Sequence, residues 1–353
     1  MMNAPIGIIG TGSYLPARRR TNAEVAELAG VSAEWIAGRT GVLTRHAAAP
    51  DEAASDLGAA ALKSALAAAD LEAEQLDVIV VATSTPDELG PATACRVQAL
   101  TGARHAVALD VTAACSGWLF GARVARDWLT CDSSARYAAV VGVEAYSKFV
   151  DPTDRATASL FGDGAAATLL GPVAEGQGFG AFTLGSDGRY ADHAMIAAGG
   201  SRLPAPLESQ YITMNGKGVR DFILDVFPRM LAHALGQGRV TLDDVALVVT
   251  HQPNPVLLQQ AARDMGVTDS QLVVVGHEVG NIGAANIPYA LAKAASEGRL
   301  HIGDLVVIIA FGGGVTWGTT LLRWTGASAV RVAPTVSRVA PSPPAASARG
   351  GRG

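Results

Sequence analysis

The sequence predicts an α/β protein built from two similar halves. Three observations carry this: short β-branched runs alternate with longer alanine- and leucine-rich stretches, the runs are continuously apolar as buried strands are, and one run recurs with its flanks about 167 residues later. "DVIVVATSTP" (Asp77 to Pro86) falls on "DVALVVTHQP" (Asp244 to Pro253), with Asp77, Val78, Val81, Thr83 and Pro86 landing on Asp244, Val245, Val248, Thr250 and Pro253. Tandem α/β units also produce strand-helix repeats, but here several correspondences occur in one order.

Taken in order, "GIIGTGSYLP" is strand-like and carries Gly10 and Gly12. It lacks the third glycine of a dinucleotide loop and runs into Pro16 and three arginines where a helix would start, so no such site is expected. The helical "DLGAAALKSALAAADL" precedes the first repeated strand, as "VRDFILDVFPRMLAHAL" precedes the second. "VALDV" is a strand that leads through Cys115 into a helical stretch with apolar Leu119, Val124 and Leu129 and charged Arg123, Arg126 and Asp127. "YAAVVGVE" (Tyr137 to Glu144) takes the place of "LVVIIAFG" (Leu305 to Gly312), and the same offset puts Cys115 beside Asn281. We divide the chain into halves at 1–175 and 176–326, and read 327–353, rich in Pro, Ala, Ser, Gly and Arg, as a flexible tail. The tail's arginines could meet an acidic partner or simply be solvated.

With 353 residues, 49% hydrophobic and 17% charged, the chain has the make-up of a globular protein, and a net charge of -5 gives no reason to bind nucleic acid or an anionic membrane. Cys95, Cys115 and Cys131 form neither a disulfide framework nor a metal-ligand spacing, so a reducing cytoplasm and no metal are expected. No apolar run approaches the roughly 20 residues that span a bilayer, and the start resembles no export signal.

Four stretches could carry chemistry. Cys115 sits where a strand gives way to a helix, among Ala113, Ala114, Ser116 and Gly117. The helix dipole there would favour a thiolate, although a small buried thiol would look the same. His251, in "VVTHQPNP", stands just past a strand, the place where α/β proteins display polar groups. Asn281, in "VGNIGAANIP", could donate to a carbonyl or simply serve a turn between glycines. "AFGGGVTWG" offers backbone N–H groups to a ligand, or a tight turn. If the halves face each other across a pseudo-twofold axis, Cys115, His251 and Asn281 share one cleft.

Together "TAACSGW", "THQPN", "GNIGAANIP" and "FGGGVTWG" resemble the β-ketoacyl-ACP synthase III type of ketosynthase in the thiolase superfamily, over about Ile6 to Trp324. "EWIAGRTGVLTRH" and "RATASLFGDGAAA" extend the likeness. The resemblance implies a five-layered αβαβα sandwich and a homodimer. It implies Cys115 as the nucleophile that takes an acyl group from acyl-CoA, with His251 and Asn281 stabilising the enolate of a decarboxylating malonyl thioester, supplied by a carrier protein or CoA. The backbone N–H groups of Cys115 and Gly313 would form the oxyanion hole, and no cofactor is implied. Elongating relatives carry a second histidine where Asn281 stands, and thiolases a cysteine in the last glycine loop, so Cys-His-Asn implies the priming type. Trp35, Arg39 and Arg155 match positions that resemble the adenine and phosphate contacts of CoA, and Phe311 and Gly90 match the acyl site.

Two departures bear on substrate. Val256 stands where an arginine usually helps dock the carrier, with Asp221 and Asp264 at other commonly basic places and Arg220 and Arg263 as partial compensation. Gly90 replaces a common phenylalanine that caps the partner's acyl pocket, which suggests a bulkier acyl group and specialised, polyketide-type metabolism. Two other readings stay open: an acyltransferase on the same scaffold, passing the acyl group from Cys115 to an oxygen or nitrogen nucleophile, and a non-catalytic acyl-binding partner subunit.

Overall fold

A computed structural model describes residues 4–204 and 210–331. The first half runs β1 (Ile6–Tyr14), β2 (Arg18–Thr21), α1 (Asn22–Ala29), α2 (Ala33–Thr40), β3 (Thr44–Ala47), α3 (Ala54–Ala69), β4 (Val78–Ala82), α4 (Thr93–Thr101), β5 (Val107–Val111), α5 (Gly117–Cys131), β6 (Ala138–Ala145), α6 (Arg155–Ala158) and β7 (Asp163–Pro172). The second runs β8 (Gly178–Ser186), β9 (Ala194–Ile196), β10 (Ile212–Met214), α7 (Gly216–Gly238), β11 (Leu247–Thr250), α8 (Pro255–Asp264), α9 (Gly276–Val279), α10 (Asn286–Ser296), β12 (Leu305–Gly312), β13 (Thr316–Arg323) and β14 (Ser328–Arg331).

The strand order repeats as the sequence does. One sheet is ordered β14-β1-β7-β6-β4-β5 and the other β8-β13-β12-β11. A parallel bridge from Val248 to Leu272 stands where β5 stands beside β4. In each sheet two parallel strands, β4 with β6 and β11 with β12, continue into an antiparallel pair. The recurrence at Asp77 and Asp244 is therefore the β4/β11 equivalence, and that at Tyr137 and Leu305 the β6/β12 equivalence.

Alternation along the strands builds the layers, because successive side chains leave opposite faces of a sheet. Val78 and Val80 join α5 and α10 in a central core together with Leu247, Val249, Val306 and Ile308 of the other sheet. Ile79 and Val81 turn the other way, onto α3 and α4. Val248, Val307 and Ile309 likewise turn onto α7 and α8. Helices, sheet, helices, sheet and helices follow one another, which is the αβαβα sandwich. Both faces of both sheets are covered, so the strands read as unbroken apolar runs.

Gly10 and Gly12 serve packing here, since a Cβ on Gly12 would fall 2.2 Å from the Ala65 backbone nitrogen of α3. Residues 328–331, assigned by composition to the tail, instead form β14, which adds to the sheet by parallel main-chain pairing of Gly10 with Ser328 through Ser13 with Arg331. Main-chain pairing needs no particular composition, and so left no trace in the pattern. The rest of that tail, 332–353, lies outside the described residues. No helix among the described residues is long and apolar enough to cross a membrane.

Candidate active site

The two short helical turns that open the central helices bring the chemistry together. Ala114–Ser116 precedes α5, and Gly283–Ala285 precedes α10. Ala114 adopts a φ of 47°, which an L-residue enters at a cost of about 1–3 kcal/mol, and this bend ends β5's course and turns Cys115 inward. The β12–β13 hairpin closes on the same turn: Ser116 and Thr316 hydroxyls lie 2.7 Å apart, and Thr316 Oγ1 donates to the Ala113 carbonyl at 3.1 Å. A Cβ on Gly312 would fall 2.7 Å from the Cys115 nitrogen, so only glycine lets the hairpin reach the cysteine backbone. Gly313 follows, its Cα facing the Ala194 carbonyl, where a Cβ would come within 2.8 Å.

His251 lies one residue past β11 and is buried, with the Phe311 ring edge-on at 5.4 Å. Phe311, expected to line the substrate, is itself only 2% exposed, so its ring reaches the imidazole. Asn281 is pinned by its backbone to the facing half: its N–H donates to the Leu160 carbonyl at 2.8 Å and its carbonyl accepts from Gly162 N–H at 3.1 Å. Its side-chain Oδ1 accepts from Gly283 N–H at 2.9 Å, which leaves the amide donor to offer to a ligand.

Gly283 is where the parts meet. Its N–H holds Asn281, its backbone contacts His251, and a Cβ on it would lie 2.6 Å from the Tyr146 hydroxyl and 2.8 Å from Glu144 Oε1. Tyr146 in turn acts on Cys115, favouring ionisation of its thiol. Cys115, His251 and Asn281 therefore share one neighbourhood, linked through Gly283 on one side and through Phe311 and Gly312 on the other.

Protonation differs from the helix-dipole expectation. Burial, and then the Glu144 carboxyl, push the Cys115 thiol up to about 12, against weaker opposing hydrogen bonds from Tyr146 and its own N–H. Cys115 is half-buried, and the loss of solvent around its sulfur works against the helix dipole, favouring the thiol over the thiolate. Burial pulls His251 down to about 3, partly offset by Asn286 and Gly283, and keeps the imidazole neutral. His251 Nδ1 and Asn286 Oδ1 are both buried without a hydrogen bond of good geometry, so this corner holds polar atoms in reserve. Glu144 is raised by burial to about 8 despite hydrogen bonds from Thr85 and the Ser84 and Ala284 backbones.

These shifts shape stability against pH. The unfolded chain protonates His251 below its ordinary 6.5 while the folded chain resists down to about 3, so stability falls as pH drops through that window. The folded chain keeps Glu144 protonated up to about 8 while the unfolded chain loses that proton near 4.5, so stability falls as pH rises through that window. The two slopes cancel from about 4.5 to 6.5, leaving a plateau with flanks of up to about 1.4 kcal/mol per pH unit from each group. In denaturant unfolding over a pH series, His251→Asn is expected to flatten the acid flank and Glu144→Gln the flank up to pH 8. Unchanged flanks would refute these assignments.

The remaining expected contacts lie on the surface. Trp35, capped at its N–H by Ser32 at the start of α2, is 38% exposed rather than core, and the Arg155 guanidinium stands 5.7 Å from its ring centre. Arg39 ends the same helix, its carbonyl accepting from Asn254 at 3.2 Å, which ties α2 to the segment that begins at His251. Gly90 has open space where a Cβ would be, beside Leu89, which is 85% exposed. Glu144, Tyr146 and Asn286 did not emerge from the sequence; an acid closing the otherwise apolar run "AAVVGVE" was the available signal.

Known proteins share this arrangement across almost the whole chain. Family models described as 3-oxoacyl-[acyl-carrier-protein (ACP)] synthase III and its C-terminal part match residues 109–188 and 235–324. The β-ketoacyl-[acyl-carrier-protein] synthase III of Symbiobacterium thermophilum is 41% identical over 327 residues, covering 91% of this chain and 98% of the relative. The chain belongs to the β-ketoacyl-[acyl-carrier-protein] synthase III family. It is thus a condensing acyltransferase with the thiolase fold. The crystal structure of the synthase III from Thermus thermophilus aligns with a TM-score of 0.86 at 38% identity, covering 91% of this chain and all of that one. The priming β-ketosynthase of the R1128 polyketide pathway aligns with a TM-score of 0.85 at 27% identity, covering 91% of this chain and 97% of that one.

Proposed function

We propose that this synthase loads an acyl group from acyl-CoA onto Cys115, coenzyme A leaving as a thiol with the proton the cysteine gives up, and condenses it with malonyl carried by acyl carrier protein. The convergence of Cys115, His251 and Asn281 about Gly283 is the observation that carries the reading. A neutral imidazole and an amide are two hydrogen-bond donors that burial keeps uncharged, suited to a thioester oxygen that becomes an enolate as carbon dioxide leaves. The enolate carbon then attacks the acyl-Cys115 carbonyl. The N–H groups of Cys115 and Gly313 receive that oxyanion, and the sulfur departs with its electron pair as the β-ketoacyl thioester forms.

The exposed Trp35 and Arg155 pair supports an adenine sandwiched between indole and guanidinium, with Arg39 near the phosphates. The open space at Gly90 supports an acyl group larger than acetyl in a homodimer whose Gly90 loop faces the partner copy. Turnover of acetyl-, branched and longer acyl-CoA with malonyl carrier protein tests the reading: released carbon dioxide and a chain-extended product are expected, most rapidly with the bulkier acyl groups. Acylated hydroxyl or amine acceptors without carbon dioxide would replace it by simple acyl transfer.

A further inference from the structure

A buried polar chain lies behind Cys115, and it is not among the groups given a part in the condensation above. Glu144, fully buried at the end of β6, accepts from the Thr85 hydroxyl at 2.9 Å and from the Ser84 N–H at 3.1 Å to each oxygen. Tyr146, two residues on, brings its one hydroxyl to the same side of Gly283 as Glu144, and it favours ionisation of both the Glu144 carboxyl and the Cys115 thiol. Its ring is fixed against Phe161 at 4.8 Å between centres, within the apolar cluster of Val25, Ile36 and Leu160. Gly283 seals the far side, where any side chain would strike both the tyrosine oxygen and Glu144.

We propose that Tyr146 donates a hydrogen bond to Cys115 Sγ and that Glu144 is the positioning residue that decides whether it does so. A hydroxyl has one proton to donate. When Glu144 carries its own proton it can donate to the Tyr146 oxygen, and the tyrosine proton points to sulfur. When Glu144 is ionised it draws that proton to itself and repels a thiolate as well. The raised Glu144 pKa, about 8, puts the donating arrangement in force at neutral pH. Each turnover needs it at one moment: as the carbon–sulfur bond breaks, the electron pair stays on sulfur, and the Tyr146 O–H meets the departing thiolate without giving up its proton. The titratable groups around the sulfur are then Glu144 and Tyr146 on the β6 side and the neutral His251 across Gly283.

The inference rests on Cys115 being the reactive thiol, and its test needs no condensation. The full-length protein and its variants would be treated with iodoacetamide between about pH 6 and 10, and modification at Cys115 followed by peptide mass to separate it from Cys95 and Cys131. Tyr146→Phe is expected to move the Cys115 profile to higher pH, slowing alkylation at a fixed pH about tenfold, the equivalent of one pKa unit. Glu144→Gln removes the ionisable acid while keeping an amide donor, and is expected to move the profile to lower pH. Opposite displacements with retained folding support the proposal; displacements of the same sign, or none, overturn it. Should Tyr146→Phe fail to fold, the direction of the Glu144→Gln displacement decides. If the profiles move as stated but acyl-CoA leaves no adduct on Cys115, it is the proposed function that fails and not this relay.

Discussion

Asn281→Ala is expected to keep acyl loading and lose condensation. The acyl adduct on Cys115, read by intact mass after acyl-CoA exposure, should form as in the parent, while release of carbon dioxide from malonyl carrier protein falls about 10²–10³-fold, the usual cost of one oxyanion donor. The reason is geometric: Asn281 reaches the site through Gly283 and is held from Leu160 and Gly162, and Cys115 is contacted by Tyr146 and Gly312. Cys115→Ala should do the reverse, abolishing the adduct and chain extension while leaving the malonyl side intact. An Asn281→Ala protein that no longer loads acyl groups would make the amide part of nucleophile activation instead.

A large expected effect on stability comes from a glycine given no part in the chemistry. Gly142, in the middle of β6, is pressed against the turn that carries Gly283, and a Cβ there would fall 2.3 Å from the Ala284 oxygen and 2.9 Å from the Ala285 Cα. Both are backbone atoms that no rotamer change can move. Gly142→Ala should therefore cost at least the upper part of the roughly 1–3 kcal/mol typical of overpacking, and displace the Asn281 loop with it. Gly38, inside α2, meets nothing within 4 Å, and there the same change should stabilise by up to about 1 kcal/mol through helix propensity. Denaturant midpoints of the two variants should move in opposite directions. If Gly142→Ala unfolds at the parent's midpoint, the close approach of β6 to the 283–285 turn is wrong.

The fold was legible because both sheets are covered on both faces. Strands such as Val78–Ala82 and Leu247–Thr250 could be written as unbroken apolar runs, and the duplication wrote them twice. Cys115, His251 and Asn281 were legible as residues that follow strands or open helices, and the offset paired two of them. Glu144 and Tyr146 were not, because what distinguishes them is burial against Ser84, Thr85 and Gly283, segments far apart in the chain. The raised Cys115 pKa was hidden for the same reason: a helix start is visible in sequence, whereas the desolvation that opposes it belongs to the folded site. Asn286 was hidden inside a motif read for its neighbour, and β14 inside a stretch of tail-like composition.

Keeping Cys115 as an enclosed thiol also bears on durability under oxidative stress. Peroxide attacks the thiolate, and progress from sulfenic to sulfinic acid is the irreversible loss of a nucleophile. A sulfur whose pKa is raised to about 12 spends little time in the oxidisable form. Cys95 and Cys131 are the more exposed thiols, and neither is among the residues proposed for condensation. The thiol proposed to take the acyl group is thus also the least exposed of the three.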